Sequence, residues 1–279
     1  MSPREAFSNR EFPMTDADFV HIQKVAYKLS GIKLSEHKKD MIYGRLARRL
    51  RCLDVPTFSE YCLLISRPDS EELGDFVNAI TTNLTAFFRE KHHFEFLKDK
   101  LIPSLLETNK SKKRIRIWSA GCSTGEEAYS IAMVLSQFSE LKTWDVKILA
   151  TDLDSNVVAR AKQAYYDADR VQKVPSFYSS CIKNSEDNKR CCIQKDIASL
   201  VTFKQLNLLH SWPMKGPFDI IFCRNVVIYF DAETQRRLFD RYASMLSATG
   251  HLFIGHSENL HNISTRFESL GRTIYRKLN

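Results

Sequence analysis

The sequence predicts an α/β protein, a doubly wound and mostly parallel sheet preceded by a small all-helical domain. Three observations carry this expectation. Residues 15–80 place their apolar side chains at helical spacing. From Arg114 onward, short apolar runs alternate with amphipathic stretches, the pattern of strands and crossover helices. Within that region Trp118–Ser130, "WSAGCSTGEEAYS", passes from an apolar strand through a glycine-bearing turn into a helix, the layout of a nucleotide or cofactor pocket. At 279 residues and 43% hydrophobic composition, the chain can bury the core of one large or two modest domains.

The helical region divides into four segments, each with a start signal. Thr15 or Asp16 caps a segment carrying Phe19, Ile22, Val25, Ala26 and Leu29, stopped at Ser30-Gly31. Ser35 starts a second with Ile42, Leu46, Leu50 and Leu53, and Thr57 with Glu60 three residues later forms a capping box before Tyr61, Leu64 and Ile65. Asp69 or Ser70 opens the fourth, with Leu73, Phe76, Val77 and Ile80. "TTNLTAFFRE", Thr81–Glu90, breaks this pattern at a domain junction and leads into a helix through Phe94, Leu97 and Leu101 to Pro103; "NKSKKR" then forms a polar loop.

Strands follow at Arg114–Ser119, Val146–Thr151, Leu200–Gln205, Phe218–Cys223, His251–Gly255 and Thr273–Arg276, with helices at Gly125–Gln137, Ser155–Ala164 and Ala232–Leu246. Residues 166–199 do not fit the alternation and are expected to be an insertion. The organisation read from these breaks is a flexible N-terminus over 1–14, a helical domain over 15–80, a linker and connecting helix over 81–113, and the α/β domain over 114–279.

Composition excludes several classes. No apolar run of eighteen residues exists and the first thirteen residues are polar, so neither a membrane span nor a secretory signal is expected, and the expected location is the cytoplasm. Seven scattered cysteines without paired CxxC motifs argue against a disulfide framework and against a zinc site. The net charge of +8 calls for an acidic partner, and Lys24–Asp54 alone holds nine basic against three acidic residues. At 100° per residue Lys38, Arg45 and Arg49 line up, with Arg48 beside them, on one face of the second helix, which makes a docking surface for an acidic helix or a nucleic acid.

The turn Ala120–Gly125 has neither the third glycine of a dinucleotide fingerprint nor the Lys-Ser/Thr of a P-loop. Glu126 and Glu127 open the next helix, where they suit the helix dipole and would repel a phosphate. "LATDLD" ends the second strand in Asp152, the position from which a carboxylate accepts ribose hydroxyls. A phosphate-poor, ribose-bearing, positively charged ligand fits this set, and S-adenosylmethionine has that description.

"ITTNLTAFFRE", "WSAGCSTGEEAYSIA", "ATDLD", "FDIIFCRNVVIYFD" and "GHLFIGHSENL", in that order behind a helical domain, resemble the chemotaxis receptor methyltransferases, the CheR family, over about residues 15–277. The resemblance implies a Rossmann-like S-adenosylmethionine-dependent methyltransferase fold with a small inserted β-subdomain. It implies methyl transfer to glutamate side chains on the cytoplasmic helical bundle of chemoreceptors, giving glutamyl methyl esters and S-adenosylhomocysteine. Carried over by position, Asn83, Thr85 and Arg89 would reach the cofactor, Arg89 near its carboxylate end; Glu127 or Glu126 would touch it from the turn; Asp152 would hold the ribose. Asn207 and Leu208 would flank the adenine, Arg224 and Asn225 would line the floor, and Tyr229 would lie where the methyl group is transferred.

A glutamate is already ionised at neutral pH, so no general base is needed, and no poised His/Asp or Ser/His pair is evident; His256 reads as structural. Arg89 and Tyr229 are the candidates for catalytic positioning, and Lys38, Arg45, Arg48 and Arg49 for docking a glutamate-rich helix. Family members that grip a receptor's C-terminal peptide carry a Gly-x-Gly turn in the β-subdomain, whereas "CIKNSEDNKRCC" has no glycine, so tether-independent action is expected. A nucleic-acid methyltransferase suits the charge, but Cys223-Arg224-Asn225-Val226 lacks the Asn/Asp-Pro-Pro-Tyr/Phe pattern of amine methylation, and no nucleic-acid partner is expected. A non-catalytic adaptor that senses S-adenosylmethionine is the reading from another class.

Overall fold

The computed structural model describes residues 10–278, so most of the expected flexible N-terminus lies outside the described residues. The chain divides into two units. One holds the described residues up to Thr82 together with Tyr229–Asp231, and the other holds Asn83–Ile228 and the residues from Ala232 onward. Of the expected linker and connecting helix over 81–113, the residues from Asn83 onward belong to the larger unit, and Tyr229 belongs to the helical one.

In the helical unit α1 (Asp16–Ser30) starts at Thr15, whose side chain and that of Asp18 cap each other's backbone N–H, and it stops where Gly31 takes a left-handed φ of 70°. A 3-10 turn (Glu36–Lys38) leads into α2 (Lys39–Leu53), which follows Ser35 later than expected. α3 (Phe58–Ser66) is capped by Thr57, and α4 (Glu72–Ile80) starts two to three residues after the expected Asp69 or Ser70. The delay has a cause: Glu72 is turned inward, 5% exposed, to meet Arg49. The apolar stripes meet in a core of Phe19, Ile22, Ala26, Ile42, Leu46, Leu50, Phe58, Tyr61 and Phe76, all at most 1% exposed. Burying each of these side chains contributes about 1.5–3 kcal/mol before entropy is counted.

The basic face of α2, the expected docking surface, is partly engaged within the bundle. Arg49 donates from Nε to Glu72 Oε1 at 2.9 Å and from Nη2 to Glu72 Oε2 at 2.5 Å, and lies 2.7 Å from Asp75. Tyr61 adds a hydroxyl to Glu72 at 2.7 Å. These bonds raise the Arg49 value further above its ordinary range, the hydrogen bond to Glu72 being the largest cause. Arg45 donates to the carbonyls of Ala79 and Thr81, where it caps the end of α4. Both arginines hold the bundle together. Arg48 is exposed and makes no side-chain ion pair among the described residues, and Lys38 stands over the Tyr229 ring at 4.6 Å.

The larger unit opens with α5 (His92–Phe96), a π-helical stretch Leu97–Leu101 and α6 (Ile102–Thr108). The helix was expected to end near Pro103; the wider turn, in which Ile102 donates to the Leu97 carbonyl, lets it continue past the missing proline N–H. Then come β1 (Arg114–Ala120), α7 (Glu126–Leu135), β2 (Asp145–Asp152) and α8 (Ser155–Gln163). The insertion holds β3 (Tyr165–Asp167), α9 (Ala168–Val171), β4 (Ile182–Asn184), β5 (Arg190–Ile193) and α10 (Lys195–Ala198). After it follow β6 (Val201–Gln205), β7 (Phe218–Cys223), α11 (Ala232–Met245), β8 (Leu246–Ile254), β9 (Phe267–Gly271) and β10 (Ile274–Lys277).

The main sheet has the order β6-β2-β1-β7-β8-β10-β9 and is parallel except for β10, which runs antiparallel to both neighbours. Ile117 of β1 sits between Ile148 and Ile220, and every residue of β7 and α7 is buried, as a sheet covered on both faces requires. The insertion forms its own antiparallel sheet, β3-β5-β4. β9 was not anticipated: its two-residue turn to β10 uses Arg272 and Thr273 at left-handed φ of 50° and 59°, without the Asn-Gly signal such turns normally carry.

Replacing Arg49 by Met leaves the buried Glu72 carboxylate without its cation. Stability should fall by about 3 kcal/mol in urea unfolding followed by circular dichroism, whereas Arg48→Met should stay within about 0.5 kcal/mol.

Candidate cofactor site

The chain runs outward from β1 to β2 and β6, then returns to place β7 on the other side of β1, so the switch point lies between the carboxyl ends of β1 and β7. At that point Gly121 has φ +93°, and a Cβ there would come 2.3 Å from Val226 Cγ2; only glycine lets the turn lie against the segment after β7. Gly121 and Cys122 both donate to the Thr151 carbonyl, at 2.8 and 2.9 Å. Burial pushes the Cys122 thiol well up and keeps it unreactive.

Asp152 ends β2 beneath this turn. Oδ2 accepts the Ser123 N–H at 2.7 Å and Oδ1 accepts the Asp154 N–H at 3.0 Å. Burial raises its value to about 6 even though these backbone donors pull it down. Asp154 caps α8 through Asn156 and Val157 and accepts Asn83 Nδ2 at 2.7 Å, while the Asn83 carbonyl accepts Ser123 Oγ at 2.9 Å. Asn83 thus ties its segment to the turn and to the end of β2.

Arg224, immediately after β7, is 6% exposed. Its Nη1 donates to Glu127 Oε2 at 3.0 Å, its Nη2 lies 3.3 Å from Glu90 Oε2, and Nη2 also donates to the Arg89 carbonyl. The other oxygen of Glu127 accepts Ser119 Oγ at 2.7 Å, so Glu127 faces the crevice between β1 and β7. Burial raises Glu127, with Arg224 as the opposing influence. Glu126 is fully buried and turned to Thr124 Oγ1 at 2.6 Å and to Arg170. Of the pair, Glu127 is the one on the crevice.

Asn225, at φ +59°, donates its N–H to Glu258 Oε2 at 3.0 Å and its side-chain amide to Glu90 Oε1 at 3.4 Å. Glu258 also accepts the N–H groups of Gly255, Val227 and Ile228, at 2.6, 2.9 and 3.3 Å. Arg89 closes its own loop by donating to Leu84 O at 2.9 Å, and the Thr85 carbonyl accepts from Arg170 at 3.4 Å. Asn207 makes a turn by accepting the Leu209 N–H at 2.9 Å. Leu208 is buried and lines a cleft of about 300 Å³ with Thr234, Arg237 and Arg241. Tyr229 stands with the helical unit, its carbonyl accepting Lys33 N–H at 3.0 Å.

Glu90, Asp154, Arg170 and Glu258 were missed as parts of this site. Arg89-Glu90 reads in the sequence as a surface pair, yet Glu90 sits among Arg224, Asn225, His93 and His256. Burial works against its charge, but Arg224 and the hydrogen bond with His256 prevail and hold it down to about 2. Glu90, His92 and His93 bring possible ligand atoms within 4.8 Å of one another, but the Arg224 guanidinium already supplies the cation there. His93 is pushed down to about 3 by burial and by Arg224, and is neutral.

A parallel sheet with this strand order, a glycine turn after β1 and a carboxylate at the end of β2 defines the S-adenosylmethionine-dependent methyltransferase class. The chain belongs to the CheR methyltransferase family: the family's SAM-binding domain matches residues 83–276 and its all-alpha domain matches residues 17–81. It is 42% identical over 281 residues to chemotaxis protein methyltransferase 2 of Pseudomonas aeruginosa, covering 98% of each chain. It is 40% identical over 269 residues to the chemotaxis protein methyltransferase of Escherichia coli, covering 94% of this chain and 91% of that one. No helix among the described residues is long and apolar enough to cross a membrane.

The donor set fits the cofactor. Asp152 is a buried carboxylate at the end of β2, a group of the kind that accepts ribose hydroxyls, and Glu127 and Glu90 place negative charge near the switch point, where a sulfonium is favoured over a phosphate. The charged Asp152 carboxylate accepts ribose hydroxyls better than the protonated one. Cofactor affinity should therefore be full above pH 6 and fall as pH drops through that value, read by calorimetric titration from pH 8 to 5. Asp152→Asn should weaken binding about tenfold at pH 8 and flatten this profile.

Proposed function

We propose that this protein transfers the methyl group of S-adenosylmethionine to glutamate side chains on the cytoplasmic helices of chemoreceptors, forming glutamyl methyl esters in the adaptation of chemotaxis. Kinship over 98% of both chains with a chemotaxis protein methyltransferase carries this reading. When bound, S-adenosylmethionine supplies a methyl group activated by the sulfonium. The residues of this chain have only to orient and partly desolvate a carboxylate that is ionised at neutral pH, with the reacting atoms about 3 Å apart. The site accords with that task in having strong positioning groups.

In this reading Arg89, Asn83, Thr85, Glu127, Arg224 and Asn225 hold the cofactor, with Asp152 on its ribose and Asn207 and Leu208 towards the adenine. Glu126 supports the turn from beneath, which is consistent with its complete burial. Tyr229 positions the accepting carboxylate. Its neighbour Lys38, kept below the usual lysine range by burial and by Arg45, offers a cation close to the tyrosine ring. Docking of the acidic receptor helix rests on Lys38 and Arg48, while Arg45 and Arg49 brace the bundle.

Tyr229→Phe and Arg89→Ala should each lower turnover at least tenfold while keeping the native circular dichroism spectrum. Arg48→Ala should raise KM for receptor with little change in kcat, and raising ionic strength from about 0.05 to 0.3 M should do the same. Methyl-labelled S-adenosylmethionine incubated with receptor-bearing membranes and then mild alkali should release volatile methanol. Label that survives alkali or transfers to added RNA would overturn the reading, and binding of cofactor with no turnover would point to an adaptor.

A further inference from the structure

Between α8 and the insertion lies a basic cleft in which, of its residues, only Arg170 also touches the cofactor-site segments. It has a volume of about 250 Å³ and is walled by Arg160 of α8, Arg170 of α9 and Arg190 of β5, with Gln163, Tyr165 and Asp167 at its edges. The one carboxylate there, Asp167, lies 4.0 Å from Arg190, and both side chains are about 70% exposed, so this pair is weak. Arg160 makes no side-chain hydrogen bond or ion pair among the described residues. With Asp167 beside Arg190 and the buried Glu126 paired to Arg170, three guanidinium groups face two carboxylates and leave one positive charge in excess. Like charges gathered this way repel one another unless an anion is seated among them, and the planar forks of arginine suit phosphate and carboxylate oxygens.

Arg170 gives the cleft a connection. Its Nη2 donates to the fully buried Glu126 carboxylate and lies 3.4 Å from the Thr85 carbonyl. Tyr166, from the same insertion, donates its hydroxyl to the Thr124 carbonyl at 2.7 Å. Only Nη2 is committed, so Nε and Nη1 remain for a ligand. One guanidinium thus reaches the cleft on one side and, on the other, the Thr85 segment and the turn after β1.

We propose that the cleft between Arg160, Arg170 and Arg190 is a second, non-catalytic site for a small oxyanion, phosphate or carboxylate, and that its occupancy tightens cofactor binding through Arg170. The coupling rests on the reading that the Thr85 segment and the Thr124–Glu127 turn contact the cofactor. An anion that fixes Arg170 also fixes Glu126 and Thr85, so the ordering of these groups is shared between the two binding events. Linkage makes the effect reciprocal: cofactor tightens the anion by the same factor.

The test uses the full chain and inorganic pyrophosphate as probe, by isothermal calorimetry at low ionic strength. A single site should be seen, weakened at least tenfold in Arg160→Ala/Arg190→Ala and less than twofold in Lys110→Ala/Lys112→Ala, which removes equal charge from an exposed loop. Saturating pyrophosphate should lower the Kd for S-adenosylmethionine about threefold or more in the parent protein and leave it unchanged in the double arginine variant, whose affinity without the anion should equal the parent's. A tetraglutamate peptide run alongside identifies whether carboxylate or phosphate binds more tightly. No binding, or equal loss in both double variants, would overturn the site. Binding of the anion with no effect on the cofactor would overturn the coupling. Failure of the parent protein to bind S-adenosylmethionine would sink the methyltransferase reading, while the pyrophosphate isotherm would still report on the cleft.

Discussion

One buried guanidinium, that of Arg224, joins the parts of the cofactor site. It connects the end of β7 to Glu127 at the start of α7 and to Glu90 and the Arg89 carbonyl in the segment before α5. A charge this deeply buried is tolerated only with its partners in place, and the partners are equally dependent on it. Burial presses Glu127 towards its neutral form and Arg224 resists that, while Glu90 is held charged in spite of burial. Three separated stretches of chain are therefore held in register by mutual electrostatic need. The Ser119 hydroxyl extends the same network to β1, so the switch-point crevice is lined by groups that cannot relax independently.

Around this centre the backbone is shaped by close approach. Gly121 lies against Val226, and Gly255 lies where a Cβ would be 2.3 Å from the Asn225 amide nitrogen. Glu258 gathers four N–H groups from the segment after β7 and the end of β8, and so satisfies donors that a sharp turn between parallel strands leaves open. Asp154 plays the matching part after β2, where it caps α8 and holds Asn83. Such carboxylates give the site rigidity before any ligand arrives, which suits a reaction that depends on alignment more than on proton transfer.

The positive charge of the chain serves two ends. Some of it is structural: Arg49 neutralises the buried Glu72, and Arg45 caps α4. Other groups, Arg48 and Arg160 among them, are exposed and make no side-chain ion pair among the described residues. A count of lysines and arginines cannot separate these uses, because the distinction lies in which carboxylates the fold brings near.

Much of the architecture was legible in the amino-acid order because it rests on local physics. Period-two and helical apolar patterns located the strands and helices to within a few residues. Thr15 and Thr57 announced their helices by capping chemistry, and Gly31 announced a stop. The position of Asp152 was legible too, as the carboxylate that closes an apolar strand. What remained hidden depends on contacts between distant parts of the chain. The β9–β10 turn lacks its usual glycine, the π-helical turn carries a helix past Pro103, and Glu90 meets Arg224 only after 133 residues of intervening chain. The same holds for Arg49, whose helical face matched a docking surface and whose partner, Glu72, lies on another helix. Periodicity fixes which way a side chain points from its own element; only packing decides what it meets there.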